Sequence, residues 1–305
     1  MLLAATVIFS LQPYGGLTDG KLDWNIASDL DTSVTPNVVS ELEFSAEAYH
    51  LGLKAKLESD VYWGDSQLLL EVDSNYGAVI GGESIDSDYF GDNRTGLYSR
   101  SEAELEGDSL NFLEGGIGFQ TKIFSVMTFS IAYGGYRSEQ NLNFQKGSQV
   151  YADPLVFFPF TLEDLTDNLQ QNLDSDYMTE WTGQWLSIKT VLTMGSWEFF
   201  IQSKMTDGNY YGEGRWNLRA TGVDAFQQPK SFTHEAKSDG EEWSIGLSYQ
   251  LTKSLSFSVN YVESEQTTDA GLSVTYFSNG TFNRSVFNGA SWESSRKTIG
   301  IEYKF

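Results

Sequence analysis

The sequence predicts an all-β protein: a single antiparallel transmembrane β-barrel with long extracellular loops. Three observations predict it. Apolar and small polar residues alternate with a period of two along many segments. Very short turns alternate with long polar connections. The chain ends on an alternating strand that places Tyr303 and Phe305 on one face.

Taken in chain order, the alternation appears first at Leu51, Leu53, Ala55 and Leu57, with Gly52, Lys54 and Lys56 between them. Met127, Phe129, Ile131 and Tyr133 repeat it against Thr128, Ser130 and Ala132. Leu186, Ile188, Thr190, Leu192 and Met194 lead through Gly195-Ser196 into Trp197, Phe199 and Ile201. Trp243, Ile245, Leu247, Tyr249 and Leu251 precede the spacer Thr252-Lys253-Ser254, and Leu255, Phe257, Val259 and Tyr261 follow it. Ile299, Ile301, Tyr303 and Phe305 close the chain. A helix of ordinary length is not expected. Its best candidate, Leu162 to Leu173, lies in an acidic stretch read as loop.

A soluble sandwich also alternates, but its turns recur at short, even intervals. Here tight turns alternate with connections as long as Ser138 to Gln184 and Asp207 to Glu242. The polar faces carry Ser, Gly, Thr, Gln and Lys, which suits a wet or hydrogen-bonded lumen. The other faces are apolar, with Tyr, Trp and Phe near the strand ends, as an interfacial girdle requires. The longest apolar run, MLLAATVIFSL, is too short for a spanning helix. It reads as the apolar core of a signal remnant within residues 1–20, or as a first strand, ahead of a barrel over 21–305.

Composition excludes several functions. With 19 Lys and Arg against 42 Asp and Glu, the net charge is −23, which repels nucleic acid. There is no Cys, so thiolate chemistry and Cys-ligated metals are absent. His50 and His234 are the only histidines, so a multi-His metal site is not expected, nor is a cofactor. The stretch Asp153 to Trp185 contains PLVFFPF, whose Phe157, Phe158 and Phe160 are apolar in a region expected to be exposed. It reads as a loop that covers the barrel mouth or meets a partner, or as an extension packing its own aromatics.

One segment concentrates carboxylates: Gly81-Gly82-Glu83-Ser84-Ile85-Asp86-Ser87-Asp88-Tyr89-Phe90-Gly91-Asp92-Asn93. Asp86 and Asp88 are two apart, so on a strand they point the same way. Carboxylates that close share a proton, which raises one pKa. The plainer reading is a solvated acidic loop, with Arg94 and Arg100 as local ion-pair partners.

Together with Val39-Ser40-Glu41-Leu42-Glu43-Phe44, some forty residues upstream, this segment resembles the omptins, outer-membrane endopeptidases built on a ten-stranded barrel. The resemblance implies a barrel of about ten strands in the outer membrane of a Gram-negative bacterium. It places Asp86 and Asp88 at the two aspartates thought to position the attacking water. The family's Asp-x-His pair is matched by Asp207-Gly208-Asn209, followed by Arg215 and Arg219. Asn209 then stands where the histidine belongs, and an amide cannot take and release a proton near neutral pH. Losing a general base costs roughly 10²- to 10⁴-fold in rate. His234 lies 25 residues beyond Asn209 and reads as an ordinary lumen or rim residue, the other reading being a substitute for the missing base.

The expected function is therefore an omptin-like barrel without normal proteolysis, with a binding, structural or narrow-channel role. The alternatives are an active endopeptidase using Asp86, Asp88 and Asp207, and a small porin. Expected partners are the outer-membrane bilayer, lipopolysaccharide as in omptins, and the barrel-assembly machinery through Tyr303 and Phe305. Omptins hold lipopolysaccharide through basic outer-face side chains, of which this chain has few.

Overall fold

Alternation becomes a barrel stave when one face meets lipid and the other meets the inside of a closed sheet. The computed structural model describes residues 7–31, 33–59, 66–219 and 225–305. Its strands are β1 (Val7–Ile26), β2 (Ser40–Ser59), β3 (Ser66–Gly91), β4 (Thr95–Leu105), β5 (Ser109–Phe124) and β6 (Met127–Ala152). Two helices follow, α1 (Pro154–Phe157) and α2 (Leu162–Asn172). The remaining strands are β7 (Asp174–Met194), β8 (Trp197–Arg215), β9 (Phe232–Gln250), β10 (Leu255–Thr268), β11 (Gly271–Tyr276) and β12 (Phe282–Lys304).

All pairings are antiparallel, and β1 pairs β12 from Ser10↔Lys304 to Ile26↔Phe287, so the sheet has no free edge. The twelve segments make ten staves. β4 and β5 both lie between β3 and β6, one along their upper and one along their lower halves. β10 and β11 divide the space between β9 and β12 in the same way. The first and last strands meet at one rim, where Phe305 N donates to Phe9 O at 2.9 Å. Tyr303 and Phe305 are both exposed there, with ring centroids 4.7 Å apart.

The lower staves present their apolar set outward. Leu51 is 75 % exposed, and Ile117, Ile131, Ile188, Ile245 and Ile299 are exposed at the same level of neighbouring strands. In water these side chains would be a severe liability; in a bilayer they are solvated by lipid. β3 and β6 run 26 residues each, whereas a spanning strand needs about 9–11. The barrel therefore stands well above the membrane, and much of what reads as loop in 138–184 and 207–242 is stave.

Two expectations change. The segment 162–173 is helical, because Thr161 and Asp164 form a capping box and Leu169 and Leu173 have an apolar cluster to enter. Residues 7–20 belong to β1, paired on both sides, so the barrel sheet does not start at residue 21; residues 1–6 of the apolar run lie outside the described residues. The lumen is not uniformly wet. Its extracellular half is filled by a buried cluster that includes Leu22, Trp24, Phe44, Tyr177, Trp181, Trp185, Tyr210 and Phe287. Glycine makes room for it: a Cβ on Gly116 would lie 2.4 Å from the Trp185 indole, and one on Gly212 would lie 2.2 Å from the Tyr177 hydroxyl.

Candidate functional site at the barrel mouth

The mouth is built where β2, β3 and β4 rise above the aromatic cluster. In the register, Asp86 lies between Leu42 and Ser101, and Asp88 lies between Ser40 and Ser99. Leu42, Phe44 and Ala46 face the buried lumen, so the period of two sends Asp86 and Asp88 inward with them. The odd residues point the other way. There the Tyr89 hydroxyl donates to Glu41 Oε1 at 2.5 Å, and Arg94 Nε pairs with Glu41 Oε2 at 2.5 Å. Arg94 is thus an ion-pair partner of Glu41. Asp92 accepts from the Asn37 backbone N–H, tying the β3–β4 hairpin to the β1–β2 loop.

The charge of Asp88 acts on Asp86, its neighbour on the same side of the strand. Burial raises Asp86 well above the usual carboxylate range, and the charges of Asp88 and Glu41 push it further. Burial pushes Asp88 up to about 6, while the Ser40 hydroxyl and the charge of Arg219 oppose the rise. Arg219 comes from the short 3-10 turn Asn217–Arg219 after β8, and its guanidinium lies 4.1 Å from the Phe226 ring centroid. Tyr98 joins from β4, stacked on Phe90 at 4.1 Å, with its hydroxyl pushed up to about 12 by burial and both aspartates.

Asp207 and Asn209 are not brought to this pair. On β8 the even residues Lys204, Gly208 and Tyr210 are buried, whereas Met205, Asp207 and Asn209 are exposed on the outer face. Asp207 stands across from Asp239, and Asn209 Oδ1 accepts from Lys237 Nζ at 2.7 Å. Arg215 pairs with Asp174 and Asp176 above them.

Both histidines are accounted for elsewhere. His234 is fully buried in the aromatic cluster, its ring 4.5 Å from Trp24 and 4.6 Å from Phe287. Burial alone pushes its pKa down to about 3, and no carboxylate acts on it. His50 lies halfway down β2 rather than at the short-turn end, with Nδ1 3.2 Å from Thr18 Oγ1. The charged partner at the mouth is a guanidinium.

Below the aromatic layer a cavity of about 90 Å³ is lined by His50, Thr206 and Arg296, among others. Beside it Lys204 Nζ lies 2.7 Å from Glu114 and 3.0 Å from Glu242. Lower still, Tyr14 donates to Asp73 at 2.7 Å. Nothing local signals these contacts in sequence: Glu114 and Lys204 are 90 residues apart. The aromatic layer had a fainter signal, in glycines placed across from large rings at Gly116 and Gly212.

Among solved structures, the outer membrane protease OmpT of Escherichia coli is similar over 98 % of this chain and 97 % of its own, at 14 % identity and a TM-score of 0.69. A FadL homologue of Pseudomonas aeruginosa matches 97 % of this chain and 90 % of its own at 10 % identity, with a TM-score of only 0.35. The first likeness is one of fold. No curated protein matches the sequence. A family model described as "Pom: Protochlamydia outer membrane protein" matches residues 15–305.

Proposed function

This chain belongs to the Protochlamydia outer membrane protein family, and we propose that it serves there as a binding barrel of omptin-like fold that does not cleave peptides. It is an outer-membrane β-barrel; the finer role is our reading. One observation carries it: the sequence has two histidines, and both are buried away from Asp86 and Asp88, one in an aromatic cage and one in the mid-lumen. Arg219 takes the electrostatic place beside Asp88 that a general base would need. A guanidinium stays protonated at any physiological pH, so it cannot accept the proton of an attacking water.

The lumen argues against a diffusion pore. Trp181, Trp185, Tyr177 and Tyr210 are at most 2 % exposed, so no water path runs beside them. What remains is a tall, acidic, rigid body held above the membrane, with its chemistry on the rim. The test is turnover of fluorogenic peptides, basic and non-basic, by the refolded barrel. No release above the protein-free rate is expected. Release that drops about a hundredfold or more in Asp86→Ala would overturn the reading.

A further inference from the structure

The extracellular segment between β6 and β7 carries a rigid apolar knob. Leu155 is 92 % exposed and Phe158 84 %, with Phe160 and Leu162 beside them. A floppy loop would fold such side chains inward. This one is held open from both ends. Asp153 caps α1 by accepting from Leu155 N at 2.9 Å, and Phe160 N donates to Phe157 O at 2.8 Å. In α2 the Thr161–Asp164 capping box fixes the first turn, Thr166 Oγ1 accepts from Gln149 N, and Leu169 and Leu173 are anchored in the lumenal cluster. A contiguous apolar surface kept exposed at this cost in solubility marks an interaction site.

Charge identifies the occupant. Between Lys146 and Lys189 the chain has seven acidic residues and no Lys or Arg. Of these, Glu163, Asp164 and Asp167 are exposed directly after the knob, and Arg100, opposite Tyr151 on β4, is the nearest cation in the sheet register. A second copy of a chain with net charge −23 is repelled, and so is an anionic lipid surface. We propose that the Leu155–Leu162 knob docks a basic amphipathic peptide segment, its apolar face on Leu155 and Phe158 and its cations against Glu163 and Asp167. The proposal rests on the binding role above and names the class of partner. The knob gives the anchor, and the carboxylate rim gives steering and orientation.

The test uses the full barrel in zwitterionic lipid nanodiscs, with empty nanodiscs as the blank. The probe is a helical peptide of leucine and lysine, and its leucine–glutamate counterpart is the control. The lysine peptide is expected to bind the wild type. Leu155→Ser with Phe158→Ser is expected to weaken it about tenfold. Glu163→Gln with Asp167→Asn is expected to weaken it about threefold and to reduce its salt dependence. Both pairs are exposed, and retained heat-resistant migration on gels checks the fold. Equal binding of the glutamate peptide, or unchanged affinity in the serine variant, overturns the proposal. So does knob-dependent self-association in sedimentation, or knob-dependent binding to anionic vesicles in place of peptide. Mass spectrometry of the recovered peptide separates the two readings: a cut peptide refutes the non-proteolytic role, and an intact, unbound one refutes the docking.

Discussion

The hydroxyl of Tyr177 lies 2.8 Å from Nδ1 of His234, inside a cage of Trp24, Phe232 and Phe287. The same hydroxyl is 2.6 Å from that of Tyr210, so the imidazole ends a buried chain of two phenols. Its Nε2 has no hydrogen-bond partner among the described residues. A ring held this way packs like a large apolar side chain and stays neutral.

That contact fixes a pH dependence. The folded pKa of His234 is about 3, below the unfolded value of about 6.5. The stabilisation is therefore full above the unfolded value and is lost as pH falls towards the folded one. At about pH 5 the loss is about 2 kcal/mol. In His234→Phe, the fall in unfolding temperature between neutral pH and pH 5 is expected to shrink accordingly. An unchanged pH dependence would show that His234 is not buried as described.

Asp86 and Asp88 work in the opposite sense. Their pKa values are raised in the fold, with Asp88 near 6, so ionising them costs stability as pH rises from the unfolded value, about 3.9, through the folded ones. Asp86→Asn removes the like charge and is expected to stabilise the barrel by about 1–3 kcal/mol above pH 6, with little effect at pH 4. Thermal unfolding at the two pH values checks it. A destabilised variant would mean that the pair is instead held by a cation.

Lys204 bridges Glu114 and Glu242 deep in the lumen. Lys204→Met leaves the two carboxylates with only the more distant charge of Arg296, and a loss of about 3–5 kcal/mol is expected. Adding Glu114→Gln and Glu242→Gln is expected to recover most of it. Chemical unfolding of the single and triple variants distinguishes a charge effect from a packing effect.

The aromatic layer packs the extracellular half of the lumen. In planar bilayers the wild type is expected to give no resolvable conductance steps. Trp181, with its indole N–H donating to Gln140 at 2.9 Å and its ring 4.6 Å from Tyr210, is the keystone. Trp181→Ala is expected to cost about 3–5 kcal/mol, and together with Trp185→Ala to admit measurable current. Steady conductance of the wild type would refute the closed lumen.

Sequence reasoning reached the barrel because lipid-facing strands leave a strictly local mark. Ile245, Leu247 and Tyr249 each differ from their neighbours by one residue and one face. It also reached the pairing of Asp86 with Asp88, since two positions on one strand share a side whatever the rest of the chain does. It went astray at Leu162–Asn172, where eight polar or acidic residues outweighed a capping box that only works once Leu169 has somewhere to go. The same limit applies at Asp207 and Asn209. Their likeness to a catalytic pair is a matter of spacing, but the β8 alternation that buries Tyr210 turns both outward.

By itself, then, the sequence determined a closed sheet with greasy outer staves, an acidic composition and two carboxylates on one side of a strand. Those follow from periodicity and composition, which need no knowledge of distant neighbours. Only the tertiary structure decided what fills the cylinder and what meets the rim: Trp181 against Tyr210, Lys204 between two glutamates, Arg219 near Asp88, His234 shut away behind Tyr177. Each of those joins residues from different staves, and their meeting is set by shear and register around the whole ring.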